Sequence, residues 1–167
     1  MPSEDHSKHA HITPQDVAGF LDAVAKACND RGLRLTPIRS FVLRLIAQAG
    51  KPIKAYDLLQ QVSAGEFVGA KAPPTVYRAL GFLISHGFVH KLESINAFVT
   101  CHHLHNQRHS YPFLICNLCH NAVELEDQEV MGMLKKRADA LGFTSQAQTL
   151  EVHGVCARCI KHKPTNP

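Results

Sequence analysis

The sequence predicts an α+β chain built as two units: helices closed by a β-hairpin, then a smaller α/β unit stapled at both ends by cysteines. Three observations lead there. Two cysteine clips, Cys116-Asn117-Leu118-Cys119 and Cys156-Ala157-Arg158-Cys159, stand thirty-six residues apart. Upstream, apolar residues recur with the helical period as far as Gly87. After Gly87 the period becomes alternating, as in Phe88-Val89-His90-Lys91-Leu92 and Ala97-Phe98-Val99-Thr100-Cys101.

Four thiolates on two such turns can close a tetrahedral shell around one zinc ion. A closed sulfur shell leaves no position for water, so this metal is structural rather than catalytic. Two disulfides are the weaker alternative, because the chain starts without the cationic and apolar run of a secretory signal. A cytoplasmic location is expected, and no stretch is apolar enough over its length to span a bilayer. With 167 residues and 45% hydrophobic content the chain can bury one modest core or two small ones, and the staple favours two. The net charge of +4 permits nucleic-acid binding without requiring it. Seven of the twelve histidines fall between His86 and His120, a density that surface chemistry seldom needs.

Residues 1–12 carry His6, His9 and His11 with no apolar period and read as a disordered tail. A first helix starts at Thr13-Pro14, a hydroxyl cap followed by proline at the first helical position, with a stripe of Val17, Phe20, Leu21, Val24, Ala25 and Cys28. Cys28 on that stripe is a core thiol rather than a ligand. Gly32 stops this helix, and Thr36-Pro37 caps a second through Phe41, Val42, Leu45 and Ile46 to Gly50. A third runs from Ala55 to Val62. A fourth follows Pro73-Pro74 and ends at Gly87, with Val76, Leu80, Leu83 and Ile84 on one face and Phe82 left near the polar side. Helices followed by a hairpin make a winged helix over residues 13–101, whose last helix enters a DNA major groove. Residues 102–110 read as a polar linker. In residues 111–167, strands are expected over Pro112 to Cys116, Asn121 to Glu126 and Phe143 to Val152, with a helix from Gln128 to Leu141.

A recognition helix carries short polar groups at its N-terminal end and long cations that reach base edges. Thr75, Tyr77 and Arg78 fit, Arg78 for a guanine or phosphate contact and Tyr77 for a thymine methyl or a phosphate; Arg34, Arg39, Lys54 and Lys71 would contact the backbone. The plain alternative is that all are solvated surface groups, and the downstream hairpin is what favours the DNA reading.

Cys101 lies outside both the clips and the helix stripe. A hairpin turning symmetrically about Ile95-Asn96 places His90 directly opposite it, with Cβ atoms about 4.5–5.5 Å apart. Further ligands are available from His102, His103, His105 and His109 in the linker, and from Glu124 and Glu126 beyond the first clip. Such a site would clamp one unit against the other. Its thiolate favours zinc over iron or manganese. A simple packed pair on the hairpin is the alternative.

Taken together, Arg34-Leu35-Thr36-Pro37, Ala72-Pro73-Pro74-Thr75-Val76-Tyr77-Arg78-Ala79-Leu80, Gly87-Phe88-Val89-His90-Lys91 and the two clips resemble the ferric uptake regulator family, most closely its zinc-responsive subgroup. The resemblance runs from about Asp16 to Ile160. It implies a homodimeric winged-helix repressor that uses zinc as corepressor on palindromic operators of zinc-uptake genes, with residues 111–167 as the dimerisation domain. By position it implies two zinc ions per chain, a structural one on Cys116, Cys119, Cys156 and Cys159 and a regulatory one on His90, Cys101, His109 and Glu124. Double-stranded DNA and a second copy are the implied partners, with no membrane and no small organic substrate. Ile38 departs from the glutamine usual after Thr-Pro. The extra His102, His103, His105 and His120 leave open whether His103 or His105 replaces His109, or whether a third, weaker site forms. An iron or peroxide sensor of the same family is the nearest alternative, disfavoured by Cys101. A zinc storage or delivery protein would use the histidines but leave the winged helix idle. An enzyme is not expected, since the motifs of zinc hydrolases and deaminases are missing.

Overall fold

A computed structural model describes residues 14–65, 73–104, 112–125, 127–144 and 150–161. Its elements are α1 (Pro14–Asp30), α2 (Pro37–Ala49), β1 (Ile53–Lys54), α3 (Ala55–Ala64), α4 (Pro73–Ser85), β2 (Val89–Leu92), a 3₁₀ turn (Glu93–Ile95), β3 (Ala97–Thr100), β4 (Phe113–Cys116), β5 (Ala122–Glu124), α5 (Gln128–Ala140), β6 (Glu151–Gly154) and α6 (Ala157–Lys161). None of the described helices is long and apolar enough to cross a membrane.

The expected helices form, and their ends follow the glycines. Gly32 adopts φ +64°, which lets Leu33 N–H donate to Cys28 O at 2.8 Å and closes α1. Gly87, at φ +72°, does the same for α4 through Phe88 N–H to Leu83 O, 2.9 Å, and turns the chain into β2. At the start of α2, Thr36 makes no side-chain cap; Pro37 and a backbone bond from Ser40 N–H to Thr36 O set the first turn instead. Thr13 lies outside the described residues. Val24 and Cys28 from α1, Val42, Leu43 and Ile46 from α2, Leu58 and Val62 from α3, and Val76, Leu80 and Leu83 from α4 form one buried core. Two expected stripe members, Ala25 and Ile84, are exposed, while Leu43 and Ala79 are buried. α2 is covered from several sides, so its apolar surface is wider than one stripe.

The hairpin register departs from expectation. The observed pairs are Val89 with Thr100, His90 with Val99, Lys91 with Phe98 and Leu92 with Ala97. The 3₁₀ turn takes up Glu93–Ile95 and leaves Asn96 at φ 47°, moving the turn's centre back by one residue. His90 therefore faces Val99, and Cys101 sits one step further along the same side. A slip of two preserves the face, because side chains alternate with a period of two. β1, too short to show alternation, adds a third strand through Ile53 with Phe98 and Lys54 with Ala97.

The two faces of this sheet serve different partners. Ile53, Val89 and Phe98 point into the helical core. Leu92 and Val99 point the other way, onto Phe113, Ile115 and Ala122 of a second sheet ordered β5-β4-β6. In that sheet β4 runs antiparallel to β5 and parallel to β6. β6 spans Glu151–Gly154, so the strand expected from Phe143 starts later; Phe143 and Thr144 are not in a strand, and residues 145–149 lie outside the described residues. The short α6 over the second clip was not expected. α5 is capped by Asp127, whose carboxylate accepts from Glu129 N–H (2.9 Å) and Val130 N–H (3.3 Å).

Candidate metal centres and nucleic-acid surface

The parallel pairing of β4 with β6 brings the two clips together. Cys116 ends β4 opposite Gly154, and Asn117 N–H donates to Gly154 O at 2.8 Å. The first clip closes through His120 N–H to Cys116 O, with His120 in the left-handed region at φ 57°; the second is wound into α6 by Ile160 N–H to Cys156 O. One sulfur from each of Cys116, Cys119, Cys156 and Cys159 lies within 4.8 Å of the others. Cys119 and Cys156 Sγ are 3.8 Å apart, and all four thiols are free. A disulfide would need about 2.05 Å, whereas sulfurs on a tetrahedral zinc with bonds of about 2.3 Å are about 3.8 Å apart.

The ionisation of this cluster points the same way. Backbone N–H groups of Cys119 and Cys156 hold the Cys116 thiol down to about 5. Cys159, hydrogen-bonded by Cys156 and crowded by the remaining sulfurs, is pushed up to about 12. The Cys116 thiolate is stabilised while Cys159 is held as the thiol, and a cation among the sulfurs would favour the thiolate at both.

The second cluster forms between the sheets. Ligand atoms of His90, Cys101 and Glu124 lie within 4.8 Å of one another. His90 comes from the outward face of β2, Cys101 from the end of β3, and Glu124 from the end of β5, where it pairs with Phe113. His90 Nε2 is 3.4 Å from Glu124 Oε1, close to the edge of a tetrahedron with bonds of about 2.0–2.1 Å. The His90 ring also stands edge-on to Phe113, centroids 5.2 Å apart. Cys101 is fully buried, and burial pushes its thiol up to about 12, against the pull of a hydrogen bond from His103 N–H at 3.3 Å. His103 Nδ1 reaches the other carboxylate oxygen of Glu124, also at 3.4 Å. His105 and His109 lie outside the described residues, as does Glu126.

Arg31 was missed from the sequence because nothing in its spacing marks it. Its guanidinium donates to His86 O (3.1 Å) and to Leu104 O, and lies 5.3 Å over the Phe88 ring. It thus ties the end of α1 to both ends of the hairpin and to the chain just after Cys101.

Of the residues expected to meet DNA, Thr75, Tyr77 and Arg78 stand in the first turns of α4, with Tyr77 51% exposed and Arg78 Nη2 3.5 Å from Thr75 Oγ1. Arg34 and Lys54 are exposed; Lys71 lies outside the described residues. Arg39 is engaged within the chain: its guanidinium lies 3.6 Å over the Phe82 ring and Nη1 donates to Arg34 O at 2.5 Å. This explains Phe82 on the polar side of α4, where it serves as the platform for a cation.

Comparison with known proteins agrees with this architecture. The model of the Ferric uptake regulator family matches residues 30–153. The zinc uptake regulation protein of Escherichia coli (strain K12) is 40% identical over 142 residues, covering 85% of this chain and 82% of that protein. Among solved structures, a zinc uptake regulator complexed with zinc and DNA superposes with a TM-score of 0.81 at 39% identity, covering 87% of this chain and 95% of the other. Holo XcZur superposes at 0.79 with 64% identity, covering 86% and 98%. Apo XcZur reaches only 0.52 at 66% identity, covering 87% and 99%. On the family match and the identity to its curated relative, this chain belongs to the ferric uptake regulator family.

Proposed function

We propose that this chain is a zinc-responsive transcriptional repressor that binds palindromic operators of zinc-uptake genes as a zinc-loaded homodimer. The carrying observation is the convergence of His90, Cys101 and Glu124 from two sheets onto one point. Zinc bound there would supply the bonds that join the hairpin to the second sheet. On this reading residues 13–101 are the DNA-binding domain, 102–110 the linker and 111–167 the dimerisation domain, after a tail of residues 1–12. Cys116, Cys119, Cys156 and Cys159 hold a structural ion within the second domain. His90, Cys101 and Glu124 hold a regulatory one, with His109 as the fourth ligand and His103 as its rival or as the partner that orients Glu124. A thiol beside an imidazole and a carboxylate suits zinc better than iron, which argues against the iron or peroxide sensor.

The mechanism is a population shift. Without the clamp, the hairpin and second sheet meet through a small apolar contact around Leu92, Phe113 and Ile115 and a few exposed hydrogen bonds, so other angles are accessible. Near-complete switching needs about 5.5 kcal/mol of differential binding. The superpositions support this: holo and apo XcZur are about equally identical to this chain, yet the fit falls from 0.79 to 0.52. A difference in conformation, not in sequence, separates them. In the closed arrangement α4 would present Thr75, Tyr77 and Arg78 to the major groove, with Arg34, Lys54, Lys71 and the remaining donors of Arg39 on phosphates.

The homodimer is supported by the outer face of the second sheet. Val123 and Val152 flank Leu114 in one register row, and all are at least 40% exposed. Met133 and Leu134 on α5 are exposed as well. A row of aliphatic side chains across three strands is what a second copy would cover.

Fluorescence anisotropy on promoter DNA, with free zinc buffered over many decades and iron in a parallel series, tests the proposal. Binding that rises with zinc after the structural site is filled is expected. Binding restored by iron alone would overturn the zinc assignment. DNA binding absent at every metal level, with zinc passed on to apo-enzymes, would favour the storage protein.

A further inference from the structure

A second connection between the hairpin and the second sheet lies apart from His90, Cys101 and Glu124. The Glu151 carboxylate on β6 accepts from two successive backbone N–H groups of the hairpin's 3₁₀ turn, Glu93 to Oε1 at 2.7 Å and Ser94 to Oε2 at 3.1 Å. The Ser94 hydroxyl also reaches Oε2. Behind it, His153 Nε2 is 2.8 Å from Ser94 Oγ, and His153 Nδ1 is 3.1 Å from Asn117 Oδ1. Glu151 and His153 are alternate residues of one strand and so share a face, while Asn117 sits inside the first cysteine clip, next to Cys116.

We propose that Glu151, with His153 and Asn117 behind it, is a latch that holds the tip of the wing on the second sheet. On this assignment the latch adds to the metal clamp in setting the angle of the recognition helix. The chemistry is directional. A carboxylate only accepts, so the Ser94 hydroxyl donates to Glu151 and accepts from His153 Nε2–H, and the neutral ring then accepts at Nδ1 from the Asn117 amide turned to present its N–H. Asn117 orients the ring and is itself placed by the four-cysteine cluster, so the integrity of that cluster reaches the wing through three side chains. Ionised acceptors on backbone donors are the stronger class of hydrogen bond, and this one has no sequence neighbour to substitute for it, since β6 and the turn are joined only by folding. The latch depends on the closed arrangement and so rests on the clamp reading given above.

The test is Glu151→Ala in the full-length, zinc-loaded protein, with Ser94→Ala as a variant that leaves the β6 strand untouched. Hydrogen exchange without DNA reads the latch directly: the Glu93 and Ser94 amides are expected to exchange about tenfold faster in Glu151→Ala, and Ser94 faster in Ser94→Ala, with β4 and α4 unchanged. In DNA binding, Glu151→Ala is expected to raise the free zinc needed for half-maximal binding by about tenfold, within the usual range of allosteric coupling. Removing a negative charge beside the wing tip would by itself tighten binding to phosphates, so a weakening with an unchanged melt points to lost geometry. Exchange rates and zinc curves that superpose on the unsubstituted protein in both variants would overturn the latch. A parent protein whose DNA binding ignores zinc would overturn the clamp instead, while the exchange result would still decide whether the latch exists.

Discussion

The two ligand clusters, which share only cysteine as a ligand type, are built on opposite plans. Cys116, Cys119, Cys156 and Cys159 come from the two ends of one small unit, and β4 and β6 bring them together by pairing directly. His90, Cys101 and Glu124 come from two sheets that meet through a small apolar cluster and a few hydrogen bonds at the hairpin's turn. A metal in the first would staple a fold; a metal in the second would choose between arrangements of folded parts. Location, more than ligand chemistry, separates scaffold from switch.

Breaking the first cluster should have the largest effect. Cys116→Ser is expected to remove the cooperative melting of the second unit and with it dimerisation, because few buried side chains back that sheet and α5 is largely exposed. Circular dichroism melts and sedimentation would show it, and a dimer that melts normally would contradict the staple. Cys101→Ser should do the reverse. The protein stays folded and dimeric, but DNA binding loses its zinc response, an effect of about 100-fold or more on half-maximal zinc. Normal zinc dependence in that variant would remove Cys101 from the clamp.

How much of this was legible follows from which signals are local. The clips, the glycine stops and the change of period after Gly87 are written in neighbouring residues, and each was read from the sequence. The hairpin register was not, because a 3₁₀ turn and a looser turn use the same polar residues; His90 and Cys101 still came together because the error was two residues and kept the face. Glu124 could be proposed but not placed, since its approach depends on how two sheets pack. Arg31, Glu151 and His153 carried no readable signal. Their partners are backbone groups or side chains more than thirty positions away.

His103 sharpens the boundary between ligand and support. It touches the carboxylate oxygen of Glu124 opposite the one that faces His90. As a partner that orients Glu124, its loss in His103→Ala should cost about tenfold in zinc affinity at the regulatory site, whereas His109→Ala should abolish tight binding there. Competition with a chromophoric chelator gives both numbers. If the two variants exchange these outcomes, His103 is the fourth ligand.

The smallest expected effect belongs to Arg31, and it tests whether the switch needs more than its ligands. Arg31 is not one of the ligands and its charge is a minor influence on Cys101, yet its fork spans His86 O and Leu104 O, one just before β2 and the other three residues past Cys101. Holding both carbonyls fixes where the chain leaves β3, and therefore where Cys101 and His103 meet Glu124. Lysine keeps the charge but offers one compact ammonium in place of a planar fork, so it can hold one carbonyl and lies less well on the Phe88 ring. Arg31→Lys is therefore expected to raise half-maximal zinc by about fivefold, the lower end of measured couplings, with DNA affinity at saturating zinc unchanged. A loss of DNA affinity at saturating zinc would mean that Arg31 shapes the winged helix itself, and the switch would then be confined to the residues that bind the metal.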